Sequence, residues 1–227
     1  MDMLPLSFEQ AREIMVDGQL RPNKVSDERL LEAARALRRE DFLPPEQQPF
    51  AYIDEDVPLT PLAPNRVLME PLVLARLIQA LEAVRGERFL VIGAGTGYGA
   101  ALLARASGAR VTALEEDEAL ATFARAALAR HAPEVRLVRG PLTEGLPAEA
   151  PWDAILIEGA VTAIPETITQ QLRPETGRIA TVLNEGAPVG RAVIGERTAY
   201  GLAIRPLFDC ATPHLPPFAP RPAFVFP

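Results

Sequence analysis

The 227-residue sequence predicts an α/β fold: a doubly wound, mostly parallel sheet with helices on both faces, a terminal antiparallel hairpin and an N-terminal helical extension. Three observations predict it. From residue 88 onward, short apolar runs alternate with stretches of helical periodicity. The first run ends in a glycine loop, "LVIGAGTGYGA" (90–100), as a strand turning sharply into a helix does. Beyond residue 188 two strand-like runs follow each other with no room for a crossover helix.

The elements follow in order. "SFEQAREIMVDGQL" (7–20) and "SDERLLEAARALRRE" (26–40) carry apolar residues at helical spacing and read as two amphipathic helices. A proline-marked stretch to about Arg66, with Phe50 and Tyr52, reads as a functional loop or lid. "MEPLVLARLIQALEAVRG" (69–86) reads as a helix with Pro71 in its first turn. "RFLVIG", "ARVTALE", "EVRLVRG", "WDAILIEG" and "GRIATVL" are strands. Helices over 98–106 and 117–132 and a short crossover helix within 159–173 connect them. In the helix after Asp117, Leu120, Phe123, Ala127 and Leu128 share a face. "GRAVIGERTAYGLAIRPLFD" gives the last two strands, turning at Gly195-Glu196. The organisation is an extension over 1–66, a core over 67–210 and a proline-rich tail over 211–227 that packs over the surface.

Composition removes several function classes. Apolar residues make up 48% of the chain, which excludes disorder. The net charge is −7, from 30 acids against 23 bases, and no basic patch appears, so nucleic acid is not an expected partner. Cys210 is the one cysteine and reads as a small core residue; no disulfide framework follows. His131, closing a helix where imidazole suits the dipole, and His214 are isolated, so neither a metal site nor a Ser-His-Asp triad is expected. The N-terminus shows no basic stretch ahead of an apolar one, and no apolar run approaches the ~18 residues of a membrane span. The expectation is a cytoplasmic protein without a membrane partner.

The loop Gly93-Ala94-Gly95-Thr96-Gly97-Tyr98 has the spacing G-x-G-x-G; a dinucleotide fingerprint needs glycine where Tyr98 stands. Glycines let the backbone adopt positive φ and approach a ligand closely. Glu115 ends the next strand, where its carboxylate can accept hydrogen bonds from both ribose hydroxyls. Strand, glycine loop, helix, strand and terminal acid suit a ligand with ribose hydroxyls and no phosphates, which is the S-adenosylmethionine pattern.

Around this loop the chain resembles the protein-L-isoaspartate O-methyltransferase family. The matching stretches are "MVDGQL" (15–20), "REDFLP" (39–44), "AYIDEDVPL" (51–59), "VIGAGTGYGAALLA" and "APWDAILIEGAVTAIPETITQQLRP", in order from about residue 8 to at least 183. The resemblance implies a Rossmann-like class I methyltransferase with a seven-stranded sheet. It implies methyl transfer from S-adenosylmethionine to a carboxylate of a damaged aspartyl residue, a protein-repair reaction on proteins or peptides. It also places Gly93, Ala94, Gly95, Thr96, Gly97, Glu115, Glu116, Pro141 and Leu142 on the cofactor.

The acceptor side departs from that pattern. A carboxylate is ionised at neutral pH and needs no general base, only alignment and hydrogen-bond donors. The family supplies donors from a T-I-S segment before a proline. Here the segment is "NRVLMEP", with Val67 and Met69 at the donor positions, and Glu158 replaces a family threonine. Glu158 and Glu70 would each repel an incoming carboxylate, by roughly 3 kcal/mol at ~6 Å and an effective dielectric of ~20, unless Arg66 compensates by a bidentate contact. Glu70 also suits a role capping the following helix through its dipole, and Met69 a place in the core. Tyr52 and Asp54 match the family and are candidates for the substrate side. The family's G-D-G is Gly140-Pro141-Leu142 here, which weakens an adenine contact. The acceptor candidates are thus Arg66, Met69, Glu70, Glu158, Tyr52 and Asp54, with no assignable catalytic base. Expected isoaspartyl activity is weakened or altered. The alternatives are methylation of a hydroxyl or amine, including a small-molecule acceptor, with Glu158 or Glu70 as base, and a protein that binds the cofactor without catalysis.

Overall fold

A computed structural model describes residues 6–220. Helix α1 (Phe8–Ile14) starts at Ser7, whose hydroxyl accepts from the Gln10 N–H while the Gln10 side chain returns to the Ser7 N–H. The helix passes into a π-helical turn over Met15–Leu20, which buries Met15, Val16 and Leu20. Helix α2 (Glu28–Ala36), capped by Asp27, buries Leu30, Leu31, Ala33 and Ala34 and packs on the helix over Tyr98–Ser107. The stretch from 41 to 66, expected as a functional loop, a lid or a surface wrap, contains secondary structure. Single 3₁₀ turns lead into a two-stranded antiparallel ribbon, β1 (Val57–Leu59) and β2 (Ala63–Leu68), in which Pro58 faces Val67. The boundary expected at 66/67 therefore falls inside β2.

Helix α3 (Pro71–Ala80) opens on Pro71, which has no N–H to leave unpaired. Strand β3 (Arg88–Ile92) leads into α4 (Tyr98–Ser107), followed by β4 (Arg110–Glu115), α5 (Glu118–His131) and β5 (Arg136–Arg139). The chain then returns to β6 (Ala154–Val161), α6 (Glu166–Thr169), β7 (Arg178–Leu183), β8 (Gly190–Thr198) and β9 (Gly201–Cys210). The seven-stranded sheet has the order β5-β4-β3-β6-β7-β8-β9, parallel through β7 and antiparallel at its last two pairings. The strand order reverses between β3 and β6. In open α/β sheets ligands lie at such a reversal, beyond the carboxyl ends of the strands. Both strands are buried on both faces, as a sheet covered by helices requires.

Four expectations change. The crossover helix shrinks to the single turn α6, because β6 continues through Gly159 to Val161 before Pro165. The hairpin turns at Ala199-Tyr200, not at Gly195-Glu196, which lie within β8. Gly195 is a packing glycine: a Cβ there would meet Ile179 Cγ2 at 2.9 Å. In α5 it is Ala124, rather than the half-buried Phe123, that completes the buried face. The tail runs over the surface, with Pro213, Pro216 and Pro217 exposed, but it buries Thr212, Leu215 and Phe218 and forms a 3₁₀ turn over Pro216–Phe218. Residues 1–5, where a leader was judged absent, and 221–227 of the tail lie outside the described residues.

Candidate cofactor and acceptor site

The glycine loop sits at the sheet's reversal point. Gly93, Gly95 and Gly97 have φ of 75°, 57° and 95°, values that L side chains rarely adopt. Gly93 and Ala94 donate to the Leu114 carbonyl, which ties the loop to the end of β4. Beside it, Glu115 is fully buried with a full set of donors. Its Oε1 accepts from Arg66 Nη1 (2.9 Å) and from the Glu116 and Asp117 N–H groups (3.0 Å each). Its Oε2 accepts from Arg66 Nη2 (2.8 Å) and the Gly95 N–H (2.7 Å).

The Arg66 fork is thus spent on Glu115, with Nη2 also donating to the Gly93 carbonyl at 3.0 Å. It does not stand free for an acceptor carboxylate, as the sequence suggests. Strand β2 delivers it: Arg66 is a buried position of the ribbon, which also lays Leu59 against Gly95.

Glu158, on β6, presents the opposite case. Its side chain is buried against the bare α-carbon of Gly99 in the first turn of α4, and its Oε2 has no hydrogen-bond partner. Burial, and secondarily the charge of Glu115, push its carboxyl up to about 8, against the lowering influence of Arg66 and Arg39. At pH 7 it is therefore mostly neutral, and the repulsion expected of it is absent.

The other candidates disperse. Met69 is core, and its carbonyl accepts from Arg39 Nη2 at 2.7 Å. Val67 is half-buried in the ribbon. Glu70 is the residue before α3, but its side chain makes no capping bond. Partial burial and the nearby Asp54, Asp56 and Glu55 raise it to about 7. Asp54 is exposed within that acidic loop. Tyr52 faces the extension: its hydroxyl donates to Glu40 in a short contact and accepts from Arg12 at 3.2 Å. Burial raises the Tyr52 phenol strongly. Cys210, at the end of β9, is partly buried and raised to about 11 by burial.

Beyond β4, Glu116 accepts from the Leu142 N–H at 3.2 Å. Leu142 is buried with Leu90, Leu114 and Ile157, and Pro141 is exposed. Ala94 and Thr96 are buried within the loop, and the Thr96 hydroxyl lacks a partner. His131 is the last residue of α5, with its Nε2 2.9 Å from Asp41 Oδ2.

Two site residues escape a sequence reading. Arg39 is fully buried, donating to the Ala51 carbonyl at 2.7 Å and lying 4.8 Å over the Tyr98 ring. Its signal was the "REDFLP" match. Leu215 carries no signal in its proline-rich surroundings. It packs between Gly93 and Gly159, where an added Cβ would lie 2.8 and 2.5 Å from its side chain. Pro213 O accepts from the Ala160 N–H (3.0 Å), and the Leu215 N–H donates to Ala160 O (2.9 Å). His214 Nε2 lies 2.7 Å from Asn184 O. The cavity left among Asn65, Arg66, Glu158 and Leu215 is about 10 Å³, room for about one water.

The donor set fits an S-adenosyl group: a strand-end carboxylate beside a loop of positive-φ glycines. Among the described residues no group of three His, Cys, Asp or Glu is placed to hold a metal.

A family profile described as protein-L-isoaspartate(D-aspartate) O-methyltransferase (PCMT) matches residues 10–191. The protein-L-isoaspartate O-methyltransferase of Methylorubrum populi is 40% identical over 184 residues, covering 81% of this chain and 84% of its own. That of Koribacter versatilis is 34% identical over 209 residues, covering 92% and 90%. Among solved structures, a Plasmodium falciparum protein named as a protein-L-isoaspartate O-methyltransferase, in complex with S-adenosyl-L-homocysteine, aligns with TM-score 0.73 and 19% identity over 90% of this chain and 97% of its own. Another protein of that name aligns with TM-score 0.76 and 24% identity over 92% of this chain and 66% of its own. At these identities the solved structures speak for the fold alone.

Proposed function

The chain belongs to the protein-L-isoaspartate O-methyltransferase family, a family of S-adenosylmethionine-dependent O-methyltransferases, and from that premise we propose that it methylates a carboxylate of damaged aspartyl residues in proteins or peptides through an altered acceptor site. Gly93, Ala94, Gly95, Thr96 and Gly97 would hold the cofactor through the backbone and Glu115 through its ribose hydroxyls, with Glu116, Pro141 and Leu142 at the base. When bound, the cofactor supplies an electrophilic methyl group on a sulfonium. The acceptor carboxylate is ionised at neutral pH, so the protein has to orient it, not deprotonate it.

The observation that carries the acceptor reading is Glu158. A buried carboxyl that stays neutral near pH 7, with an unpartnered Oε2, can donate an O–H hydrogen bond. That donor stands in for those lost at Val67 and Met69. Neutral Glu158 attracts an acceptor carboxylate, where an ionised one would repel it.

The test is the pH dependence of methyl transfer from labelled cofactor to an isoaspartyl peptide. With Glu158 as donor, the rate falls as pH rises through about 8, and Glu158→Gln, which keeps an N–H donor, holds its rate above that pH. The unpartnered Oε2 also favours a second reading, in which Glu158 is the base for a hydroxyl or amine acceptor. That chemistry gives the opposite sign: the rate rises through about pH 8, and the glutamine variant is inactive. We place the protein in the cytoplasm, in keeping with its single cysteine. No helix among the described residues is long and apolar enough to cross a membrane.

A further inference from the structure

The space a cofactor needs at the reversal point is filled by the chain itself. Two independent features fill it. Arg66 lies across the glycine loop, with both terminal nitrogens on Glu115 and one also on the Gly93 carbonyl, so the carboxylate that would take a ribose diol already holds a guanidinium. The second is the C-terminal segment. Leu215 sits against the bare α-carbons of Gly93, just after β3, and Gly159, within β6, the two strands that border the reversal point. The segment is pinned by a single parallel bridge at His214, through the Ala160–Pro213 and Leu215–Ala160 bonds, and Phe218 O accepts from the Thr162 N–H (3.3 Å) and hydroxyl (3.2 Å). Glycine loop residues 93–97 and Glu115 are all buried beneath these groups.

We infer that residues 212–218 form an autoinhibitory strap and Arg66 an internal stand-in for the ribose, so that the cofactor enters its cleft only by displacing both. The inference rests on the cofactor site of the proposed function, not on its acceptor. The physical logic is competition for the same contacts. Leu215 leaving the glycines frees the loop face, and Arg66 swinging off Glu115 opens one acceptor position on each carboxylate oxygen, the backbone N–H bonds of Gly95, Glu116 and Asp117 staying in place. The strap is suited to release: beyond a single 3₁₀ turn over Pro216–Phe218 it is held by a few backbone bonds, the His214–Asn184 contact and two apolar anchors, Leu215 and Phe218. Cofactor affinity is then set partly by the strap, because the binding-competent state is only fractionally populated.

Hydrogen exchange of the full chain with and without S-adenosylhomocysteine tests this, together with calorimetry of the same ligand on the parent and on Leu215→Ala. A ligand that simply fills a preformed site slows exchange throughout. A ligand that expels the strap speeds exchange at the Leu215 and Thr162 amides while slowing it at Gly95. The expected result is that opposite response, with Leu215→Ala binding roughly tenfold tighter or better. Arg66→Gln is a second variant and should move affinity in the same direction. Strap amides equally or better protected in the bound state, with Leu215→Ala binding no tighter, would overturn the inference. So would the absence of binding by the parent and both variants at millimolar ligand, which would make the filling permanent. The acceptor reading fails separately: a strap released by S-adenosylhomocysteine without methylation of isoaspartyl peptide defeats that reading and leaves this one standing.

Discussion

Glu115 ends β4 and Glu158 lies within β6, the strands on either side of β3, and both side chains are buried, yet their chemistry diverges. Glu115 accepts from both arms of Arg66 and from three backbone N–H groups. Glu158 has an oxygen with no partner and a carboxyl held neutral to about pH 8. Depth is common to the two carboxyls in this cleft; the donors aimed at them are not. β4 ends where the chain turns into α5, so successive N–H groups converge on its last residue. β6 runs on past Glu158 in extended form, and its backbone donors serve β7 and the strap instead.

Breaking the saturated half should have the largest effect. Glu115→Ala leaves Arg66 as a buried unpaired cation, at a cost of about 3–5 kcal/mol, read as a drop of roughly 10 °C in melting temperature. If the parent and variant melt together, Glu115 is solvated in solution and the contrast with Glu158 collapses. The double variant Glu115→Gln with Arg66→Met should recover about 1–3 kcal/mol of that loss, because no buried charge is left without a partner. Chemical denaturation of the single and double variants measures this coupling.

The unsaturated half should reveal itself through pH. The Glu158 carboxyl is raised from an ordinary 4.5 to about 8 in the folded protein. Its contribution to stability is therefore full below about pH 4.5 and is lost as pH rises through about 8. Glu158→Gln should flatten that slope and be the more stable protein at pH 9, by about 2 kcal/mol. A parent whose stability, compared with the variant's, does not fall over this range would mean that Glu158 finds a donor. The smallest effect should come from Val67→Thr, which restores one hydroxyl on the half-buried face of β2. Stability should change by no more than about 0.5 kcal/mol. Isoaspartyl methylation should rise by less than roughly tenfold if Glu158 already donates, against the ~10²–10³ typical of a missing preorganised donor.

Most of the architecture was legible because each core strand carries its own signal. β3, β4, β6 and β7 are apolar runs, and the glycine spacing with Glu115 marks the cleft from sequence alone. The turn at Ala199-Tyr200 was misplaced because a glycine can serve close packing as well as a turn, and Gly195 does the former. In the sequence Arg66 reads as an acceptor-side candidate, whereas the structure pairs it with Glu115. Its partner, 49 residues away, is fixed only when the β1–β2 ribbon folds over the loop. Leu215 was illegible for a different reason. A proline-rich segment has no periodicity, and its place is decided by the space that two distant glycines leave. Nor can a sequence display the neutrality of Glu158, which arises from what fails to approach it.

The burial of Arg39 bears on how the molecule comes apart. One guanidinium joins the carbonyls of Ala51 and Met69 and covers the ring of Tyr98 at the head of α4, so it touches the extension, the segment before α3 and the core at once. Such a rivet leaves no seam between the first 66 residues and the rest. Calorimetry should therefore show a single cooperative transition, with no separate early melting of the N-terminal helices. A chain shortened to begin at residue 67 would have to expose Tyr98 and the α4 face that α2 covers. It should behave as a folding-defective fragment, not as a smaller enzyme.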